Sequence, residues 1–130
     1  MSDYQELIDA ARRARENALA PFSKFHVGAA LRGRDGRIWT GCNVENASYG
    51  LTICAERVAI FKAISEGARE FDAISVVTAA ERLTPPCGAC RQIIWEMCGD
   101  VAVVLANLQG EVTVHRMKDL LPFPFDNRSL

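Results

Sequence analysis

Three cysteines and one glutamate carry the chemistry legible in this chain: Cys54 and Glu56 in Cys54-Ala55-Glu56, and Cys87 and Cys90 in Pro86-Cys87-Gly88-Ala89-Cys90. Thiolates are soft ligands, and zinc suits a set of three. Three protein ligands leave one place in a tetrahedral shell, which in catalytic zinc sites holds a water. Glu56 lies two residues beyond a proposed ligand, so its carboxylate is placed to exchange protons with such a water without binding the metal. Plainer readings exist for each piece. A C-x-x-C also suits a redox pair or two ordinary helix cysteines. A glutamate in a first helical turn also suits a solvated acid that complements the helix dipole. Cys42 is the candidate fourth ligand of a closed, structural site, while Cys42 and Cys98 otherwise read as small buried hydrophobes.

The elements that must position these groups follow from periodicity and turn chemistry. Asp3 or Ser2 is placed to cap a first helix, along which Tyr4, Leu7, Ile8, Ala11, Ala14 and Ala18 recur at helical spacing until Pro21 ends it. Arg12, Arg13 and Arg15 read as its solvated side. Two strands are predicted over Phe25 to Leu31 and Arg37 to Cys42, joined by an Asp35-Gly36 hairpin. After a loop from Asn43 to Leu51, Thr52 is a candidate cap for a helix that Gly67 stops. A third strand spans Ala73 to Thr78. A helix then begins near Cys87 and ends at Gly99, with Ile93, Ile94 and Met97 expected on its core face. The run Val101 to Ala106 is continuously apolar, as a strand covered on both faces should be. Strand, helix and strand across 73–106 form a parallel crossover. A last strand, Glu111 to His115, and a short helix near Lys118 to Leu121 complete an α/β fold. Two helix N-termini would thus carry the three thiols, lowering their pKa and favouring the thiolate a metal needs.

Size and composition narrow the function. The 130 residues suit one domain, 1–130, and 49% apolar residues supply its core. A net charge of −1 lacks the basic excess expected of a protein that tracks nucleic acid. No stretch approaches the ~20 apolar residues needed to cross a bilayer. The opening segment, Met1 to Glu6, is polar and acidic rather than leader-like, so a cytoplasmic location is expected. Five cysteines, an odd number, argue for metal or catalytic use rather than a disulfide scaffold.

At these residues the chain resembles the zinc-dependent cytidine deaminases, and more narrowly the small homotetrameric type. The resemblance rests on Cys54-Ala55-Glu56-Arg57 and Pro86-Cys87-Gly88-Ala89-Cys90-Arg91-Gln92, a variant of the H-x-E…P-C-x-x-C signature with Cys in place of His. Further markers are Ala20-Pro21-Phe22-Ser23-Lys24-Phe25, Val27-Gly28-Ala29-Ala30, Gly41-Cys42-Asn43-Val44-Glu45-Asn46-Ala47 and Leu120-Leu121-Pro122. It implies a three-layer α-β-α fold with a mixed five-stranded sheet, and one zinc ion per subunit on Cys54, Cys87 and Cys90. It further implies Glu56 as proton carrier, Asn43 and Glu45 on the ribose hydroxyls, Phe25 against the pyrimidine, and Ala55 offering backbone groups to the base. Tyr49 and Phe125 would enter a neighbouring subunit's site, the alternatives for the latter part being Phe123 or neither phenylalanine. Arg57 would donate to thiolate sulfur and draw off charge from a site that carries −1 with three thiolates and Zn²⁺.

The expected activity is hydrolysis of cytidine and deoxycytidine to uridine and deoxyuridine plus ammonia, a reaction of pyrimidine salvage. The competing readings are a deaminase of another aminopyrimidine, such as blasticidin S or an N4-substituted cytidine, and a non-enzymatic binding module built on a Cys₄ zinc. The expected partners are a small nucleoside and further copies of the chain, with neither nucleic acid nor membrane.

Overall fold

The computed structural model describes residues 2–130; Met1, which opens the polar segment read against a leader, lies outside the described residues. The chain runs α1 (Gln5–Arg15), β1 (Gly28–Gly33), β2 (Ile38–Cys42), α2 (Ala55–Ser65), β3 (Phe71–Thr78), α3 (Gly88–Cys98), β4 (Ala102–Asn107), β5 (Val112–Arg116) and α4 (Met117–Leu120). The five strands form one sheet in the order β2-β1-β3-β4-β5. β3 and β4 are parallel, and the other neighbours are antiparallel. The mixed α/β sheet expected from the sequence is therefore present.

Alternate residues of the central strands point to opposite faces, and each face meets different helices. Ala30, Ala73, Val77, Ala102 and Val104 pack with Leu7, Ile8 and Ala11 of α1. Leu31, Ile74, Val76, Val103 and Leu105 pack with Ala59 and Ile60 of α2, Ile94 of α3 and Met117 of α4. This two-sided cover explains why every residue of β4 is buried and why its sequence shows no polar alternation.

Several boundaries differ from the expected ones. α1 stops at Arg15 rather than Pro21, with Tyr4 at its N-cap in place of Asp3 or Ser2. Beyond it, the Leu19 N–H donates to the Asn43 carbonyl (3.0 Å) and the Glu45 N–H donates to the Leu19 carbonyl (2.9 Å). Backbone pairing with the loop after β2 thus outcompetes another helical turn. β1 starts at Gly28, not Phe25, because an asparagine side chain replaces the ladder there. The Asn43 Oδ1 accepts from Val27 N (2.9 Å) and its Nδ2 donates to the Phe25 carbonyl (2.8 Å). On α3, Met97 is exposed, and Ile94 carries the core contact while Ile93 is only partly covered. Among the described residues, no helix is long and apolar enough to cross a membrane.

Candidate metal centre and active site

The two helices that carry the cysteines begin without conventional caps. Cys54 is the N-cap of α2, displacing the expected Thr52, and Cys87 is the N-cap of α3; neither makes a side-chain cap hydrogen bond. Thr52 instead accepts from the Asn46 N–H at 3.0 Å. Unfilled first-turn N–H groups leave the positive ends of both helices to the sulfurs, which favours thiolate. Cys90, one turn into α3, is fully buried, while Cys54 is half-buried and Cys87 exposed.

The sulfurs of Cys54, Cys87 and Cys90 lie within 4.8 Å of one another, the one convergent group of His, Cys, Asp or Glu among the described residues. Cys54 Sγ and Cys87 Sγ are 4.0 Å apart. A tetrahedral zinc with bonds of ~2.3 Å requires sulfurs about 3.8 Å apart, so this spacing fits the ion; a disulfide would need ~2.05 Å. Cys42, at the end of β2, is not in the group. Burial pushes its thiol pKa up, and Lys62 opposes that. The closed four-sulfur reading therefore loses its fourth ligand. Cys42→Ala is expected to leave zinc content at one ion per chain and turnover within about two-fold of wild type, read by elemental analysis and assay on one sample.

Within the cluster, protons are unequally shared. A hydrogen bond with Cys90, followed by the Arg57 guanidinium, brings Cys54 down to about 5. The same bond with Cys54 pushes Cys90 up. Arg57 Nη2 donates to Cys54 Sγ at 3.6 Å, while its buried Nε has no partner among the described residues. Glu56, in the first turn of α2, is only 4% exposed. Burial, with the Cys54 charge adding to it, pushes its carboxyl up to about 7. A solvated surface acid would show neither feature, so the plain reading of Glu56 fails.

These groups open into a cleft of about 250 Å³ that Phe25, Asn43, Glu45, Ala55, Glu56 and Cys87 help to line. Asn43, 8% exposed, spends one amide N–H and one oxygen lone pair on the Phe25–Val27 backbone, leaving one of each. Glu45 Oε1 accepts from the Phe22 N–H (3.1 Å) and the Ser23 N–H (3.0 Å), and its Oε2 from the Ser23 hydroxyl. Those bonds, the hydroxyl's the largest, lower its pKa. Lys24 adopts φ = 60°. That left-handed residue lets Ser23 face Glu45 while Phe25 reaches the cleft.

The family profile of the cytidine and deoxycytidylate deaminase zinc-binding region matches residues 1–107, which hold Cys54, Glu56, Cys87 and Cys90. The chain belongs to this deaminase family. A cytidine deaminase of Halalkalibacterium halodurans is 54% identical over 124 residues, covering 95% of this chain and 94% of the relative. One from Sporosarcina psychrophila is 49% identical over 129 residues, covering 98% and 95%. The crystal structure of cytidine deaminase from Burkholderia pseudomallei, at 52% identity, aligns with a TM-score of 0.91 over 96% of this chain and 100% of that one. The chain thus carries a zinc-binding deaminase domain, and its three-sulfur cluster could hold the metal ion.

Tyr49 and Phe125 do not line the cleft. Tyr49 is exposed and meets the Phe22 ring edge-on at 5.7 Å. Phe125 is also exposed, and its carbonyl accepts from Gln92 Nε2 at 2.8 Å. Ser23 and Thr84 line the cleft although no role is legible for them in the sequence. Both lie in proline-flanked loops whose path is held by side-chain hydrogen bonds. The Thr84 hydroxyl, for example, pairs with Thr78 at the end of β3 (3.1 Å).

Proposed function

We propose that the chain hydrolyses cytidine and deoxycytidine to the corresponding uridines and ammonia, with Glu56 as the proton carrier. One observation carries the reading: a glutamate removed from water stands two residues from a sulfur ligand, inside the cleft that the metal cluster opens into. Cys54, Cys87 and Cys90 would hold zinc, whose Lewis acidity makes a water nucleophilic near neutral pH. Glu56 Oε would take a proton from the water that adds to the carbon bearing the exocyclic amine. It would pass this proton to the adjacent ring nitrogen, then take the second proton from the hydroxyl now on the ring carbon as that oxygen becomes the carbonyl, and deliver it to the amine, whose bond to carbon breaks to release ammonia. A carboxyl poised near neutrality can act as both base and acid in one turnover. Arg57, donating to Cys54, would draw charge from a thiolate set that otherwise makes the metal a poorer Lewis acid.

Phe25 packs against the pyrimidine, and Ala55 offers backbone groups to it. The ribose hydroxyls take the unused capacity of the neighbouring polar pair: the free N–H of Asn43 and the last acceptor position of Glu45. Tyr49 and Phe125, exposed in the single chain, reach the sites of neighbouring copies in a homotetramer. The setting is a single-domain, cytoplasmic enzyme of pyrimidine salvage. The decisive assay follows the absorbance change of cytidine to uridine with zinc measured on the same sample. Zinc-loaded protein that leaves cytidine intact, or that turns over only blasticidin S or N4-substituted cytidines, would overturn the substrate assignment.

Glu45 also sets a limit on the substrate. Its lowered pKa keeps it ionised at neutral pH, and a phosphate brought beside a carboxylate is repelled. Cytidine monophosphate is expected to show kcat/KM at least about 10²-fold below cytidine. Parallel assays of the two substrates check this, and comparable values would remove Glu45 from the sugar end of the pocket.

A further inference from the structure

Cys87 differs from the other two ligands in being exposed. It lies at the junction of a loop and a helix, where no cap side chain restrains it. Its sulfur is held in place only as well as the backbone on either side of it. That backbone is fixed from both sides by one residue, Arg91. The Arg91 N–H donates to the Cys87 carbonyl at 2.9 Å, closing the first turn of α3. The Arg91 Nε donates to the Pro86 carbonyl at 2.8 Å. These two carbonyls belong to the two peptide planes that flank the Cys87 Cα. Fixing both planes fixes the φ of −68° and ψ of 171° found there, and with them the direction of Cβ. Pro86 is buried, so its carbonyl would be costly to leave without a donor.

The other end of the guanidinium is anchored too. Arg91 Nη1 donates to the Leu120 carbonyl at 3.0 Å, at the C-terminus of α4. A fixed fork of N–H donors can bridge two carbonyls in this way, whereas an ammonium on a flexible stem restrains them less. We infer that Arg91 is a positioning residue for the metal centre: it locks the peptide planes around Cys87 and ties that lock to the end of α4. The inference rests on the three-sulfur metal site and not on the identity of the substrate. It concerns the ligand that solvent and competing chelators meet first.

Partners outside the ligand shell commonly alter metal affinity by about 10–100-fold. The test is the rate of zinc release from the zinc-loaded protein into an excess of a colorimetric chelator. The variants are Arg91→Met, which keeps the apolar stem and removes every donor, and Arg91→Lys. Gln92→Met is the control, because Gln92 Nε2 ties the same helix to the tail through the Phe125 carbonyl (2.8 Å) but touches neither peptide plane of Cys87. Arg91→Met is expected to release zinc at least about 10-fold faster than wild type. Arg91→Lys should fall between, and Gln92→Met should stay within two-fold of wild type, as an order-of-magnitude expectation. Wild-type release from Arg91→Met would overturn the proposal. So would equal acceleration in Gln92→Met, which would mark general loosening of α3 from the tail. If Arg91→Met does not fold, Arg91→Lys decides alone: unchanged release rejects the role, and faster release supports it. A wild-type chain that binds no zinc would instead sink the metal site itself, an outcome distinct from either.

Discussion

Glu56→Gln is expected to fold, to keep its zinc and to lose at least about 10²–10⁴-fold in turnover of cytidine, the usual worth of a positioned acid or base. The amide preserves the shape of a side chain that is 4% exposed in the first turn of α2. It removes the ability to take and return a proton. Because the proposed reaction uses that one carboxyl for several transfers, the loss should sit in kcat more than in KM. The mutant should also be no less stable than wild type, since burial already disfavours the ionised form that it replaces. Elemental analysis, thermal unfolding and steady-state kinetics on one preparation separate these effects. A near-normal rate with zinc bound would exclude Glu56 from the chemistry.

The second large effect is mechanical and is located at Gly41 of β2. A Cβ there would stand 2.6 Å from the Ala55 carbonyl, 2.6 Å from the Ala59 N–H and 2.9 Å from Val58 Cβ. The first two are backbone atoms of α2 and cannot rotate aside. Gly41→Ala must push that helix off the sheet, and its N-terminus carries both Cys54 and Glu56. Overpacking of this kind typically costs 1–3 kcal/mol, or roughly 5–10 °C in Tm for a domain of this size, with zinc affinity and activity falling together. Gly28 of β1 is the matched comparison. A Cβ there would run into the Ala11 carbonyl and come within 2.6 Å of the Arg15 N–H. Those atoms belong to α1, on the face of the sheet away from the metal cluster. Gly28→Ala should therefore lower Tm at least as much while the surviving folded protein keeps its zinc. Retained zinc affinity in Gly41→Ala would show that α2 can shift without moving Cys54.

Much of the fold was legible because its signals are local. Asp35-Gly36 does make the turn between β1 and β2, with Gly36 at φ = 93°. Gly67 and Gly99, at φ = 98° and 80°, follow the ends of α2 and α3 and suit conformations that other residues adopt at a cost. The uninterrupted apolar run of β4 correctly announced a strand covered on both sides. The boundaries that differ from local expectation share a different cause. α1 ended early and β1 started late because Leu19, Phe25 and Val27 bond to Asn43, a partner 16 to 24 positions away. No window of helical or strand periodicity contains such a contact. Met97 stays outside the core for a related reason: helical spacing fixes which residues share a face, but not how far the neighbouring layer extends over it.

The sequence by itself determined the donor chemistry. Three thiols, a carboxylate two residues from one of them and a proline-led start to the second helix are properties of side chains and short-range backbone preference. Only the tertiary structure decided that Cys54 meets Cys87 and Cys90 across a sheet crossover, that Cys42 stays apart from them, and that Glu56 is withdrawn from water. Convergence of two helix N-termini depends on how each helix seats on the sheet. That seating is set by close approaches such as the one at Gly41, between residues that are neighbours in space and not in the chain.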